Sequence, residues 1–332
     1  MLVNPPILAL LIFSALASAM LLYSCVYGIR IIKGWDIKSG SEYQLSLERR
    51  TYLISTIINY VFVFQLLSFF VFIYTADQLH TVFAGAMCAA GTLNLNEWGY
   101  RTVLLKFLTC VFSGVWLLIN YVDNRGYDYP LIKKKYGLLL LIAPFALIEG
   151  VVQGLYFFGL EPDVITSCCG TLFTSENEGI TAGIVSLPRL LVQGAFFGTL
   201  ALTVLLGIAH LRRRILRGYP FALSSIAASA ASAVAFMSVI CLFFYESPLH
   251  HCPFCVLQKG YGYIGYPIYF SFLAAAVSGP AIAVLDPLNR IESLKTVVPS
   301  VRKRLIWLTL GAHSLFAGIT IYEMIFSKFQ LQ

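Results

Sequence analysis

The chain has 332 residues, of which 58% are hydrophobic and 12% charged, with a formal net charge of +7. A soluble domain carries roughly 25% charged residues, so this composition excludes an ordinary water-soluble fold and points to an integral membrane protein. In that setting the positive balance reflects basic loops at one membrane face rather than nucleic-acid binding.

Hydrophobic runs long enough to cross a bilayer, which takes about 20 residues, recur at about 5–29, 52–76, 102–122, 136–160, 181–210, 219–245, 256–285 and 305–326. Strands of a membrane barrel are short and alternating, and these runs are neither. Backbone in lipid must satisfy its own hydrogen bonds, so each run reads as a helix. The expectation is an all-α, polytopic membrane protein of about eight transmembrane helices, forming one transmembrane domain over 1–332. The first span has no basic residue before it and no small-residue cleavage site after it, so it reads as a retained helix.

Loop charge sets the orientation. Connection 30–50 carries Arg30, Lys33, Lys38, Arg49 and Arg50, and 123–135 carries Arg125, Lys133, Lys134 and Lys135. Connection 211–218 carries Arg212, Arg213, Arg214 and Arg217, and 286–304 carries Arg290, Lys295, Arg302, Lys303 and Arg304. Together they hold 18 of the 23 lysines and arginines, whereas the opposite face has Arg101 and Lys328. The first set is therefore expected in the cytoplasm and both termini outside.

The outer connections are then 77–101, 161–180 and 246–255. They hold Cys88, Cys168, Cys169, Cys252 and Cys255, with His80, His250 and His251, while the cytoplasmic loops hold no cysteine. Disulfides form and persist in an oxidising outer compartment. Cys25, Cys110 and Cys241 lie inside spans, where a thiol behaves as a small apolar group. Loops one and two echo each other in "MCAAGTLN" and "SCCGTLFT", a match short enough to arise by chance.

In Cys252-Pro253-Phe254-Cys255 the proline favours a first helical turn. That places Cys252 near the N-cap of the seventh span and Cys255 in its first turn. Unpaired N–H groups there stabilise thiolate. The residues alone leave a redox pair, a structural clip and a metal site open. His250, His251, Cys252 and Cys255 are enough soft donors for tetrahedral copper or zinc, although consecutive histidines converge poorly with a helical C-x-x-C. Adjacent Cys168 and Cys169 can close a strained, reducible ring; alternatively one pairs with Cys88 and the other attacks a disulfide.

"CPFCVLQK" resembles the C-x-x-C motif of the DsbB family, bacterial membrane enzymes that pass electrons from protein thiols to quinone. Vitamin K epoxide reductases, a related four-helix architecture, also place C-x-x-C near quinone. The resemblance implies that Cys252 and Cys255 are the redox pair, and that Lys259, with Gln258 before it, lies beside the quinone. It also implies a bacterial cytoplasmic (inner) membrane with the cysteine loops facing outward. It covers about ten of the 332 residues. Eight spans stand where the family has four, lysine stands for arginine, and the second cysteine pair is not clearly spaced. Read by spacing, Lys259, Tyr263 and Tyr266 share one helix face, with tyrosine rings as flat walls; an interfacial aromatic belt gives the same pattern.

Ionisable residues inside spans are costly and usually paired. Glu149 and Arg189 fall at similar depth on two spans joined outside, so a pair is expected, extended by Gln153 and Gln193. His313 reads as hydrogen-bonded packing. His210 lies far from it, so no haem pair is expected, and no nucleotide motif occurs.

The reading is a membrane thiol–disulfide oxidoreductase acting on the extracytoplasmic side and coupled to quinone. An extracytoplasmic protein thiol meets Cys168 or Cys169, and electrons pass through Cys252 and Cys255. Two alternatives stand beside it. One is a membrane transporter or a protein handling soft metal (copper or zinc). The other is an accessory subunit of a larger membrane complex, braced by structural disulfides.

Overall fold

The computed structural model describes residues 4–161, 166, 180–212 and 217–329. Among them the protein is helical without strands. Eight helices are long and apolar enough to cross a membrane. They are α1 (Pro5–Gly34), α2 (Glu42–Gln78), α3 (Trp98–Asp123), α4 (Ile132–Phe158), α5 (Arg189–Arg212), α6 (Tyr219–Ala235), α7 (Gly265–Leu285) and α8 (Val297–Phe326). α6 continues through a wide π turn, Phe236–Ile240, into a last helical stretch, Cys241–Tyr245.

The physical cause is the one expected from composition: apolar side chains face lipid, and the backbone closes its own bonds. Large apolar side chains such as Leu16, Leu53, Leu190, Leu223 and Trp307 stand exposed along the helices. Intramembrane hydroxyls return their hydrogen to the carbonyl four residues back, as Ser24 does to Met20, Thr203 to Thr199 and Thr320 to Phe316. Such back-bonding satisfies a hydroxyl that has no water to bind.

The chain groups into two compact units. The first comprises Met1–Thr75, Asn96–Leu160 and Leu288–Val301; the second comprises Ala76–Leu95, Glu161–Pro287 and Arg302–Gln332. In the first, α4 packs along both α1 and α3, around Leu21, Ile58, Phe62, Trp116, Tyr136 and Leu139. In the second, α6 packs along both α5 and α7. The sequence of α6 supplies the reason, since alanine and serine dominate it and small residues let helices approach closely. The approach is tightest at Gly279, where an added Cβ would overlap the side chain of Ser225. Ser225 in turn meets His313 Nε2 at 3.1 Å, so His313 is the hydrogen-bonded packing residue expected.

Candidate functional site

Two stretches of the second unit build the site. After α2 the chain makes a short 3-10 turn, Leu79–Thr81, and then the five-residue helix Ala89–Leu93, with Cys88 just before it. Buried hydrogen bonds hold this segment. Asp77 Oδ1 accepts from Ala89 N at 3.3 Å, and Thr92 Oγ1 donates to Ala76 O at 2.7 Å. Thr166 adds two bonds, its N to Ala84 O and its Oγ1 to Gly91 O. The second stretch follows Glu246, whose left-handed backbone ends the α6 extension at φ 48°.

Cys252, Pro253, Phe254 and Cys255 then fold back under two tyrosines. Tyr245 Oη donates to Cys252 O at 2.6 Å and accepts from Val256 N at 3.0 Å. Tyr269 Oη donates to Pro253 O at 2.9 Å. The loop is therefore gripped from the end of α6 and from the second turn of α7. Gln258 Nε2 ties it to the first stretch through Met87 O at 2.7 Å.

This grip brings Cys88, Cys252 and Cys255 together. Their sulfurs lie within 4.8 Å of one another, with Cys88 Sγ and Cys252 Sγ at 3.5 Å although 164 residues separate them. Cys88 and Cys252 are 0% exposed and Cys255 4%, so bulk water does not reach the thiols. The other cysteine nearby, Cys241, meets Cys252 O through its thiol at 3.6 Å. Among the described residues no other group of three or more His, Cys, Asp or Glu side chains converges in this way.

Several expectations are corrected here. The C-x-x-C does not open a transmembrane helix. Cys255–Leu257 and Lys259–Tyr261 are separate 3-10 turns, and α7 begins at Gly265. The break has a local cause: Gln258 is extended at ψ 159°, and Gly262 and Tyr263 are left-handed at φ 62° and 58°. Hence Lys259 is not one helical turn beyond Cys255. Lys259 and Tyr263 are exposed; Tyr263 precedes α7 and Tyr266 is in its first turn, with ring centroids 6.2 Å apart.

The histidines do not join the cysteines either. His251 Nδ1 faces Met237 O at 3.0 Å, and His250 stacks on Tyr245 with centroids 4.1 Å apart. Burial and the field of Arg189 push the His251 imidazole below its usual range, with the Met237 carbonyl opposing. The alternative tetrahedral set of His250, His251, Cys252 and Cys255 is not what converges; the group that does is Cys88, Cys252 and Cys255. Cys168 and Cys169 lie outside the described residues. A small apolar cleft of about 160 Å³ adjoins the loop, lined by Phe236, Met237, Pro253, Tyr269, Phe272 and Phe316.

The buried charges of the first unit also differ from expectation. Glu149 pairs with Lys106, Nζ to Oε1 at 2.6 Å, both almost fully buried; Arg189 is exposed at the start of α5. Thr109 Oγ1 donates to Glu149 Oε2 at 3.1 Å, Gln65 Nε2 donates to the same oxygen, and Lys106 reaches Ser68. Gln153 donates to Leu10 O instead of extending this group, and Gln193 lies half-buried on α5. A second buried pair joins Lys135 and Asp123 at 2.8 Å. It borders a cavity of about 650 Å³ lined also by Trp35, Glu48, Ser55 and Asn120. Lys106 had a sequence signal, a lone lysine within an apolar run. Cys88 had only its position in a loop expected outside.

No protein-family model, curated protein or solved structure matches this chain.

Proposed function

We propose that this integral membrane protein is a thiol–disulfide oxidoreductase whose working thiols are Cys88, Cys252 and Cys255. The observation that carries the reading is the convergence of three buried sulfurs from two distant loops. Thiol exchange needs an attacking thiolate to reach a sulfur of an existing disulfide, and the leaving sulfur departs as thiolate. The arrangement supports that geometry. With Cys252–Cys255 oxidised, Cys88 thiolate attacks Cys252 Sγ, a Cys88–Cys252 bond forms, and Cys255 leaves as thiolate. Forming Cys252–Cys255 from two thiols releases two protons and two electrons. Those electrons go to an acceptor, and on the resemblance to the DsbB family the acceptor is a membrane quinone.

The cleft beside Pro253 suits a flat ring better than the Lys259 loop does. Its lining is aromatic and apolar, and its volume is below the 300–1,000 Å³ of drug-sized sites, enough for a ring system. When bound there, quinone supplies a two-electron acceptor; Phe236, Phe272, Phe316 and Tyr269 would hold it. The distribution of basic residues supports cysteine loops on the outer side and both termini outside; the resemblance to the DsbB family implies a bacterial inner membrane in which an extracytoplasmic thiol protein is the electron donor.

Thiol trapping tests the reading. Membranes are reduced, treated with oxidised quinone, quenched in acid and alkylated with a mass-tagged maleimide. Protection of Cys252 and Cys255 from the tag is expected, and Cys252→Ser or Cys255→Ser, each combined with Cys88→Ser, should abolish it. A pair that stays reduced under air and quinone defeats the proposal. Lys259→Met is expected to reoxidise at close to the parental rate, while Met237→Trp, which fills the cleft, slows it. Orientation is checked with single cysteines: an impermeant reagent should label one at Asn94 in intact cells and spare those at Lys134 and Lys303.

A further inference from the structure

We infer that the cavity of about 650 Å³ in the first unit is a second binding site, and that it takes a neutral ring carrying several hydroxyls, the chemistry of a hexose. The site is independent of the thiols. On α2, Glu48, Ser55 and Asn59 recur at steps of seven and four, so they share one helix face, about 16 Å long. Asn120 and Asn124, one turn apart at the end of α3, and Lys135, in the first turn of α4, line the same space. Polar side chains inside apolar runs are costly and read by default as functional. The volume lies within the roughly 300–1,000 Å³ of small-molecule sites.

Hydrogen bonds hold this wall in place. Ser55 Oγ donates to Asn120 Oδ1 at 2.8 Å, and Lys135 Nζ donates to the same oxygen at 3.2 Å. Asp123 pairs with Lys135 through Oδ2 and accepts from Leu131 N through Oδ1, both at 2.8 Å. Ser55, Asn120, Asp123 and Lys135 are all buried. The Asn120 oxygen is thus spent inside the protein, and its amide hydrogens are what it can offer a ligand. The Thr51 hydroxyl, buried on the lining, has no hydrogen-bond partner among the described residues. Tyr129, in the loop between α3 and α4, also lines the cavity and is left-handed at φ 47°. A non-glycine residue keeps that conformation only where its surroundings impose it.

Charge decides the class of ligand. Glu48 and Lys135 are the charged residues of the lining. Asp123 already neutralises Lys135, and Glu48 repels anions, so a phosphate or carboxylate has no cation to meet. A cationic ligand meets the Lys135 ammonium, and the Tyr121 ring it would use is covered by Arg125 at 4.6 Å. A neutral ligand meets amides, hydroxyls and a carboxylate beside the rings of Trp35, Tyr52 and Tyr60. Amides and carboxylates match the neighbouring hydroxyls of a sugar, which both donate and accept. Aromatic rings offer flat walls to its C–H face. Tyr52 and Tyr60 are exposed on α2, so the mouth admits a sugar carried on a lipid as well as one free in water.

The test uses the full chain, purified in polyoxyethylene-ether micelles, which carry no sugar. Methyl glucoside is the free probe, read by saturation-transfer NMR. Glucosyl diacylglycerol mixed into the micelle is the lipid probe, read by native mass spectrometry. Binding of at least one is expected, and the one that binds identifies the source. Asn59→Leu and Asn124→Leu should each weaken it about tenfold, the effect of one lost hydrogen bond. Ser46→Ala, exposed on α2 and away from the lining, should leave it unchanged. Circular dichroism of each variant separates a lost contact from a lost fold, and Asn124 is exposed, so its replacement spares the packing. Three results overturn the inference: neither probe binds, inorganic phosphate or choline displaces the bound probe, or binding survives the two leucine substitutions combined.

Discussion

The two units solve the problem of burying polarity in a membrane protein by different chemistry. The first buries full charges and neutralises them in place, with Lys106 against Glu149 and Lys135 against Asp123, each side chain at most 3% exposed. The second buries chiefly thiols, serines and histidines, with Asp77 as its buried carboxylate. Its ion pair of Arg302 with Asp286 stays partly exposed. A buried charge is tolerable only while its partner remains, so the first unit is brittle at a few residues. Three sulfurs already gathered can exchange bonding partners among themselves without moving their surroundings. That makes the second unit the better place for reversible sulfur chemistry.

The largest effect expected is loss of one partner in the first unit. Glu149→Leu leaves Lys106 charged and buried, and the cost should be about 3–5 kcal/mol. Denaturant unfolding followed by circular dichroism measures it. The double variant Lys106→Met with Glu149→Leu should recover most of the loss; if it does not, the pair is more than mutual neutralisation. Next comes close packing in the second unit. Gly279→Ala must displace Ser225, whose Cβ would sit 2.7 Å from the new methyl carbon, and overpacking of this kind costs about 1–3 kcal/mol. Adding Ser225→Gly should restore stability, which would separate steric conflict from loss of the bond to His313.

Of similar size is Tyr245→Phe, which removes a donor to Cys252 O and an acceptor for Val256 N. About 1–3 kcal/mol is expected for the unsatisfied groups, with faster alkylation of Cys252 as the specific sign. The smallest effect is on pH. His251 has its imidazole lowered in the folded state, so the unfolded chain takes up the proton first. Stability should therefore fall as pH drops through about 6.5, the ordinary histidine value, and His251→Gln should flatten that slope. A slope of opposite sign would mean that the ring gains a charge partner on folding.

Much of the architecture was legible because bilayer thickness imposes a length on apolar runs, and eight such runs returned as eight helices. Orientation from Arg212, Lys303 and their neighbours rests on sequence charge alone. The site was legible only in composition: the outer loops named the cysteines but not their grouping. A contact between Cys88 and Cys252 depends on chain folding over 164 residues, and no local pattern encodes it. The start of α7 was misplaced because proline after Cys252 was weighed above Gly260 and Gly262, which punctuate the segment before a helix can propagate. Glu149 was matched to Arg189 by depth, although Lys106 stood in the neighbouring apolar run. Depth alone cannot choose between two cations; which helix packs beside α4 decides it.

The π turn at Phe236–Ile240 makes the count of residues in α6 matter as much as their kind. A π turn takes in more residues than an α turn, and one residue corresponds to about 100° around a helix axis. The segment before it is held in phase by neighbours such as Gly279, and the segment after it by the reach of Cys241 and Tyr245 to Cys252. The wide turn reconciles those two phases. Delete one residue there, and either the serine–alanine face or the tyrosine clamp points the wrong way. A conservative substitution leaves both in step. The helix thus behaves as a ratchet with one permitted setting, and deletion of a single uncharged residue there should disable the thiols as thoroughly as replacing one of them.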